Sequence, residues 1–297
     1  MTFPQTLRAP AKLNLTLEVL DAPPGKLHRL RSVMVPIALY DEIHIERTSN
    51  SGFTASRPEL EKDNLILSAL RLLGIDTNAP RIHLDKNIPV GAGLGGGSSD
   101  AASILIAASS GVFGNGGHKK MLSIAQALGS DVTFFLAQTG ALVEGCGERV
   151  TAVGDLPSWW SVVVHPPVVV STADAYADLD LMRAGPSERR TRADSASLRA
   201  VIALQRGDFS AVQQLLRNDF QSMIAAAHAP VREALDALHA AGAAKPTLTG
   251  SGSCVFALAQ TRDEAQNIVS GLHLPPTFGI HLAAFHDSGV WSGGARA

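Results

Sequence analysis

The chain has 297 residues, 45% of them hydrophobic, enough for one large or two ordinary domains around a real core. Its formal net charge of −2 supplies no basic field for nucleic acid, and residues 1–8 lack the apolar stretch of a secretory signal. The two cysteines, Cys146 and Cys254, stand far apart and outside any C-x-x-C pair, which points away from a disulfide framework or a zinc site and toward a reducing compartment.

From Leu13 onward an alternating strand puts Leu13, Leu15, Leu17 and Val19 on one face and Asn14, Thr16 and Glu18 on the other. Lys12 begins it, just after a proline, where the plain reading is an ordinary solvated lysine. Two further strands, at 32–38 and 42–47, make an early antiparallel set. Residues 65–73 suit a helix capped by Asp63 or Asn64, and 81–85 alternate as a strand.

Residues 88–103 then crowd glycines into one turn before helix formers take over at 101–108. Glycines at a strand-to-helix junction let the backbone approach a ligand closely, and the first N–H groups of the helix favour an anion. Gly91-x-Gly93-x-x-Gly96 matches the dinucleotide fingerprint, but no Asp or Glu lies between Asp100 and Asp131 to hold a ribose. Ser98 follows the last glycine where a Walker loop requires lysine. Two readings stay open on the residues alone, a phosphate cradle and a plain connection.

The charge-free run 101–117 is broken by serines and glycines and reads as a buried helix and its exit, not a membrane span, so the expectation is a soluble, cytoplasmic protein. A helix at 119–128 closes on Gly129, and Asp131 follows, as either a helix N-cap or a catalytic acid. Residues 140–153 form two strands about a turn at 145–147, and the pattern breaks near Pro157, where a domain boundary is placed. After a strand at 159–165, the polar stretch 183–197 reads as a surface loop. Helices are expected at 197–204, 209–227 and 231–240. A second glycine-rich turn at 246–253 leads into a strand at 254–258, followed by a helix at 263–272 and a strand at 279–285. Residues 292–297 read as a frayed end.

Three segments acquire meaning together: Pro10-Ala-Lys12-Leu-Asn14-Leu, then residues 89–102, then Leu248-Thr-Gly-Ser-Gly-Ser-Cys-Val-Phe256. In order and spacing they resemble the three motifs of the GHMP small-molecule kinases, and the resemblance runs over nearly the whole chain. The long Gly-Leu-Gly-Gly-Gly-Ser-Ser loop, Asp63-Asn64-Leu65-Ile66, Gly129-Ser-Asp131-Val-Thr-Phe-Phe and Glu144-Gly-Cys-Gly-Glu148 resemble the branch that phosphorylates a cytidine-diphosphate sugar alcohol on the non-mevalonate isoprenoid route.

The resemblance implies an α+β, two-domain α/β fold. A ribosomal-protein-like N-terminal domain (1–156) and a ferredoxin-like C-terminal domain (157–297) would share an active-site cleft. It implies ATP as phosphoryl donor, magnesium with it but no identified protein ligand for the metal, a small-molecule alcohol as acceptor, and neither nucleic acid nor membrane as partner. By position, Lys12 and Asp131 would be catalytic, and Pro89, Gly91, Gly93, Leu94, Gly95, Gly96, Gly97, Ser98 and Ser99 would form the phosphate loop. Asn64, Leu65 and Lys86 would line the adenine pocket, while Asn14, Leu27, His28, Thr172 and Tyr176 would meet the substrate. Thr249, Gly250, Ser251 and Gly252 form the third motif. Where the family has a tyrosine before the histidine, this chain has Leu27, so the cytosine would lie between an aliphatic side chain and Tyr176, losing part of an aromatic contact worth about 1 kcal/mol. His28 also reads as a surface histidine beside Arg29 and Arg31.

Overall fold

A computed structural model of the chain describes residues 4–20, 28–46, 52–75, 80–113, 120–183 and 195–286. Strand β1 (Gln5–Val19) pairs antiparallel with the long strand β2 (Leu30–Glu46), and β2 continues through both segments expected as separate strands. A register shift at Pro10/Ala11 absorbs the extra residues on β2, so the chain stays extended between the two segments expected as separate strands. The second half of β2 pairs with β4 (Arg81–Asp85), which pairs with β3 (Gly52–Ala55); its first half pairs with β5 (Ala141–Gly145), which pairs with β6 (Arg149–Ala152). Helices α1 (Leu65–Leu72), α2 (Gly96–Ser109), α3 (Met121–Leu128) and α4 (Ser130–Leu136) supply Ile66, Ile104, Leu105, Ala125, Phe134 and Phe135 to the core of this sheet. Each of the Ile, Leu and Phe side chains among them, fully buried, contributes roughly 1.5–3 kcal/mol.

A second sheet has the order β11-β7-β10-β9, built from β7 (Trp160–His165), β9 (Thr247–Leu248), β10 (Val255–Ala259) and β11 (Gly279–Ala284). Helices α5 (Thr172–Met182), α8 (Gln221–Ala227), α9 (Ala229–Ala240) and α10 (Arg262–Ser270) contribute to its core. The architecture is α+β, with two sheets and a further core between them in which Leu13 and Leu15 of β1 meet Val163, Phe256 and Phe285.

That shared core changes the reading of β1. Its polar face is not solvated, because Asn14, Thr16 and Glu18 are all buried. Thr16 Oγ1 donates to Ser197 Oγ, while Glu18 accepts from Ser195 Oγ, Ala196 N and Ser197 N at the start of α6 (Ala196–Gln205). The helix expected over 209–227 is also interrupted. After α7 (Phe209–Leu215) the backbone extends into β8 (Arg217–Asn218), which lies parallel to β1 and brings the later half of the chain onto the first sheet. Helix α5, for which the sequence has no clean apolar stripe, is held by its Ser171 cap. Among the described residues no helix is long and apolar enough to cross a membrane. The polar stretch read as a surface loop lies largely outside them, since residues 184–194 are not described, nor are residues 292–297.

Candidate active site

The two glycine-rich turns touch backbone to backbone. Gly93 has φ +80°, and a Cβ there would sit 2.1 Å from Thr249 O, so both conformation and contact demand glycine. Cys254 N donates to Ala92 O at 3.1 Å, which ties the third motif to the first glycine turn. The turns floor a cleft of about 840 Å³, lined on this side by Pro89, Gly91, Gly93, Gly95, Gly97 and Ser98 and by Gly250, Ser251 and Gly252. Leu94, Gly96, Ser99 and Thr249 lie behind it: Leu94 O accepts from Lys12 N, and Thr249 Oγ1 accepts from Asn14 N. Helix α2 starts within the glycines, so its unbonded N–H groups and positive dipole end face the cleft.

Lys12 and Asp131 meet at the floor. β1 carries Lys12 into the interior at 3% exposure, and Asp131 sits in the first turn of α4, whose N-cap is Gly129 and not the aspartate. Lys12 Nζ stands 3.9 Å from Asp131 Oδ2 and donates to Asn14 Oδ1 at 2.5 Å. Burial holds the Lys12 ammonium below the usual lysine range, while Asp131 and Cys254 pull in the opposite direction. Asn14 Oδ1 also accepts from Gly250 N and Thr249 Oγ1, and its Nδ2 donates to Ser32 Oγ. Asn14 therefore joins the lysine, the third motif and strand β2, besides lining the cleft.

His28 and Tyr176 also line the cleft with their rings stacked, centroids 5.2 Å apart and planes 19° from parallel. His28 Nε2 is 3.0 Å from Asp180 Oδ2, and its Nδ1 is buried without a partner. Burial, with Asp131 and Cys146 adding to it, pushes the Tyr176 hydroxyl up to about 12, so it remains a donor at neutral pH. Thr172 Oγ1 and Ser251 Oγ lie 2.8 Å apart, joining α5 to the third motif. Leu27 lies outside the described residues.

The residues expected around an adenine divide. Leu65 lines the cleft, whereas Asn64 spends its Oδ1 on Ile66 N as the cap of α1. Lys86 turns inward and holds Asp41 Oδ2 at 2.5 Å and Asp100 Oδ2 at 2.7 Å, because two buried carboxylates need a buried cation. Neither Asn64 nor Lys86 lines the cleft. Sequence reasoning passed over Asp41, Asp180 and Phe220, the last packing edge-on against Tyr176 at 4.9 Å. Their partners are distant in sequence, and no local pattern marks them. The turn Gly145-Cys146-Gly147 carried a signal, its paired glycines: a Cβ at Gly147 would sit 2.2 Å from Ser130 Cβ, beside Asp131.

The family model described as the GHMP kinases N terminal domain matches residues 64–139, and that described as GHMP kinases C terminal matches 200–274. Over 261 residues the chain is 38% identical to the 4-diphosphocytidyl-2-C-methyl-D-erythritol kinase of Symbiobacterium thermophilum, an alignment covering 85% of this chain and 90% of the relative. The crystal structure of a 4-(cytidine 5'-diphospho)-2C-methyl-D-erythritol kinase superposes with a TM-score of 0.75 at 29% identity, covering 95% of this chain and all of the other. A homoserine kinase from Cytophaga hutchinsonii, at 19% identity and a TM-score of 0.66 over 99% of this chain and 97% of its own, shares the fold alone. With more than a third of its aligned residues identical across nearly the full length of both proteins, the chain belongs to the 4-diphosphocytidyl-2-C-methyl-D-erythritol kinase family of GHMP kinases.

Proposed function

We propose that the protein transfers the γ-phosphoryl group of ATP to the 2-hydroxyl of 4-diphosphocytidyl-2-C-methyl-D-erythritol, a step of the non-mevalonate route to isoprenoid precursors, in the cytoplasm. The observation that carries the reading is the meeting of Lys12 and Asp131 at 3.9 Å beside a helix N-terminus, in a cleft that His28 and Tyr176 also line. The division into domains at 1–156 and 157–297 belongs to this proposal. It is supported by the break between β6 and β7, and among the described residues β8 is the one strand of the later half that pairs into the first sheet.

In the proposed reaction the substrate hydroxyl attacks the γ-phosphorus, its proton passes to Asp131, a new O–P bond forms, and the bond to the ADP oxygen breaks. Lys12, held by Asn14, places positive charge beside the carboxylate and the transferring group. The N–H groups of the glycine loop and of the first turn of α2 cradle the phosphates without a Walker lysine. Magnesium, when bound with ATP, neutralises phosphate charge. Among the described residues no group of three or more His, Cys, Asp or Glu side chains is placed to hold a metal ion.

The test is a phosphorylation assay with that substrate and ATP. Stoichiometric ADP and phosphorylated product are expected, with competition by CMP. A folded protein without turnover would sink the proposal in favour of a non-catalytic nucleotide-binding protein. Turnover on homoserine or mevalonate, unaffected by CMP, would assign it to another GHMP activity.

A further inference from the structure

Behind the phosphate loop lies a charge cluster that the reaction as described does not use. Asp41, in β2, is 0% exposed at its side chain, Lys86, just after β4, 4%, and Asp100, in α2, 1%. The Lys86 ammonium bonds both carboxylates, and Asp41 Oδ1 accepts from Asn87 N at 2.7 Å and from Ile88 N at 2.8 Å. Residues 87–88 lead into the glycine loop and Gly96 leads out of it onto α2. A Cβ at Gly96 would sit 2.9 Å from Lys86 Nζ and 3.2 Å from Asp41 Oδ2. Both ends of the loop are thus packed on one buried cluster.

We infer that Asp41, Lys86 and Asp100 are positioning residues of the phosphate loop, and that Asp100 takes up a proton when the phosphates of ATP settle there. The inference rests on the reading of residues 89–99 as the phosphate loop. Two carboxylates on one ammonium leave a surplus negative charge beside the helix terminus that receives the most negative part of ATP, and a proton on Asp100 removes it. The geometry provides the place: Asp100 Oδ1 is buried with no hydrogen-bond partner, a costly position for a carboxylate oxygen and a cheaper one for a neutral acid.

The electrostatics agree. Burial raises the Asp100 carboxyl well above the usual carboxylate range, with Asp41 adding to the rise and Lys86 opposing it. Burial also works against the Lys86 ammonium, but its two carboxylates outweigh this and hold it above the usual lysine range. Among the described residues, Lys86 and Asp41 are the charged groups acting on Asp100, while α1, α3 and α4 bring Ile66, Ala69, Ala125 and Phe134 to the apolar core that α2 shares.

Calorimetric titration with magnesium ATP, without the alcohol substrate, tests this at pH 8 in two buffers of different ionisation enthalpy. The intact protein should take up protons on binding ATP, and its affinity should fall severalfold between pH 7 and pH 9. Asp100→Asn should abolish both effects while leaving CMP binding unchanged, and Lys86→Gln should weaken ATP binding at least about tenfold with CMP binding again unchanged. ATP binding without proton exchange in the intact protein, equal uptake in Asp100→Asn, or undiminished ATP affinity in Lys86→Gln overturns the inference and leaves the phosphate-loop reading standing. No ATP binding at all overturns that reading together with the inference. Should a variant fail to fold, infrared difference spectra of the intact protein decide: a protonated-carboxyl band gained on adding ATP supports the inference, and its absence overturns it.

Discussion

Asp131 is the side chain on which the proposed chemistry turns. It is 39% exposed and so open to a substrate hydroxyl, while its partner Lys12 is enclosed by β1, Asn14 and the glycine turn. Replacing Asp131 with Asn keeps the shape and removes the proton acceptor. Turnover should fall about 10²- to 10⁴-fold while calorimetry still detects ATP binding; near-normal turnover would mean that another group, or none, takes the proton. Lys12 and Asp131 could be named as a pair from the sequence only because two motifs recognised together contain them. Nothing in the local pattern of β1 separates Lys12 from a solvated lysine, because the burial that sets it apart comes from partners more than 80 residues away, such as Gly95 and Cys254. Lys86 shows the opposite case. Its position matched an adenine-pocket residue, yet its side chain answers to two buried carboxylates whose convergence no spacing reveals.

At the scale of elements, the glycine turn separates two reasons for glycine. Gly91 and Gly93 both have positive φ, +66° and +80°, but a Cβ at Gly91 meets nothing within 4 Å, whereas one at Gly93 strikes Thr249 O at 2.1 Å. Gly91→Ala should therefore cost only the conformational strain, about 1 kcal/mol, and Gly93→Ala clearly more, about 3 kcal/mol, with ATP binding impaired. Denaturant melts of the two variants check the difference, and equal losses would deny the contact between the turns. Glu18 is the comparable device at α6. Burial raises its pKa, but the hydrogen bonds from Ser195 and Ser197 and the amides of Ser197 and Ala196 outweigh that and leave it below its ordinary 4.5. A depressed folded value means stability that is present above the unfolded pKa and lost as pH falls through the folded one. Glu18→Gln should lower stability at pH 7 by about 1–3 kcal/mol and flatten the decline on acidification, measured by urea melts at several pH values.

For the molecule as a whole, the cleft is lined from both halves of the chain, by strands of the first sheet and by α5, Phe220 and the third glycine turn, so a nucleotide bound there should stabilise the protein as a unit. At a hundredfold excess over its Kd, ATP should add about 2.7 kcal/mol. A thermal scan should then show a rise in Tm of several degrees, on the scale of about 2–4 °C per kcal/mol; no shift at saturation would argue that the cleft does not hold ATP. Most strands and helices were legible in the sequence, because period-2 and period-3.6 apolar patterns, the Asn64 cap and the Gly129 terminus act over a few residues. The three glycine- and lysine-bearing motifs were legible too, and with them the family. Tertiary structure alone decided the rest: that the polar face of β1 is buried, that residues 217–218 leave a helical pattern to pair with β1, that His28 stacks on Tyr176, and that Lys86 faces inward. Each depends on a partner distant in the chain. A local pattern records only what a residue prefers among its neighbours, whereas burial and charge pairing are set by whatever the fold brings against it.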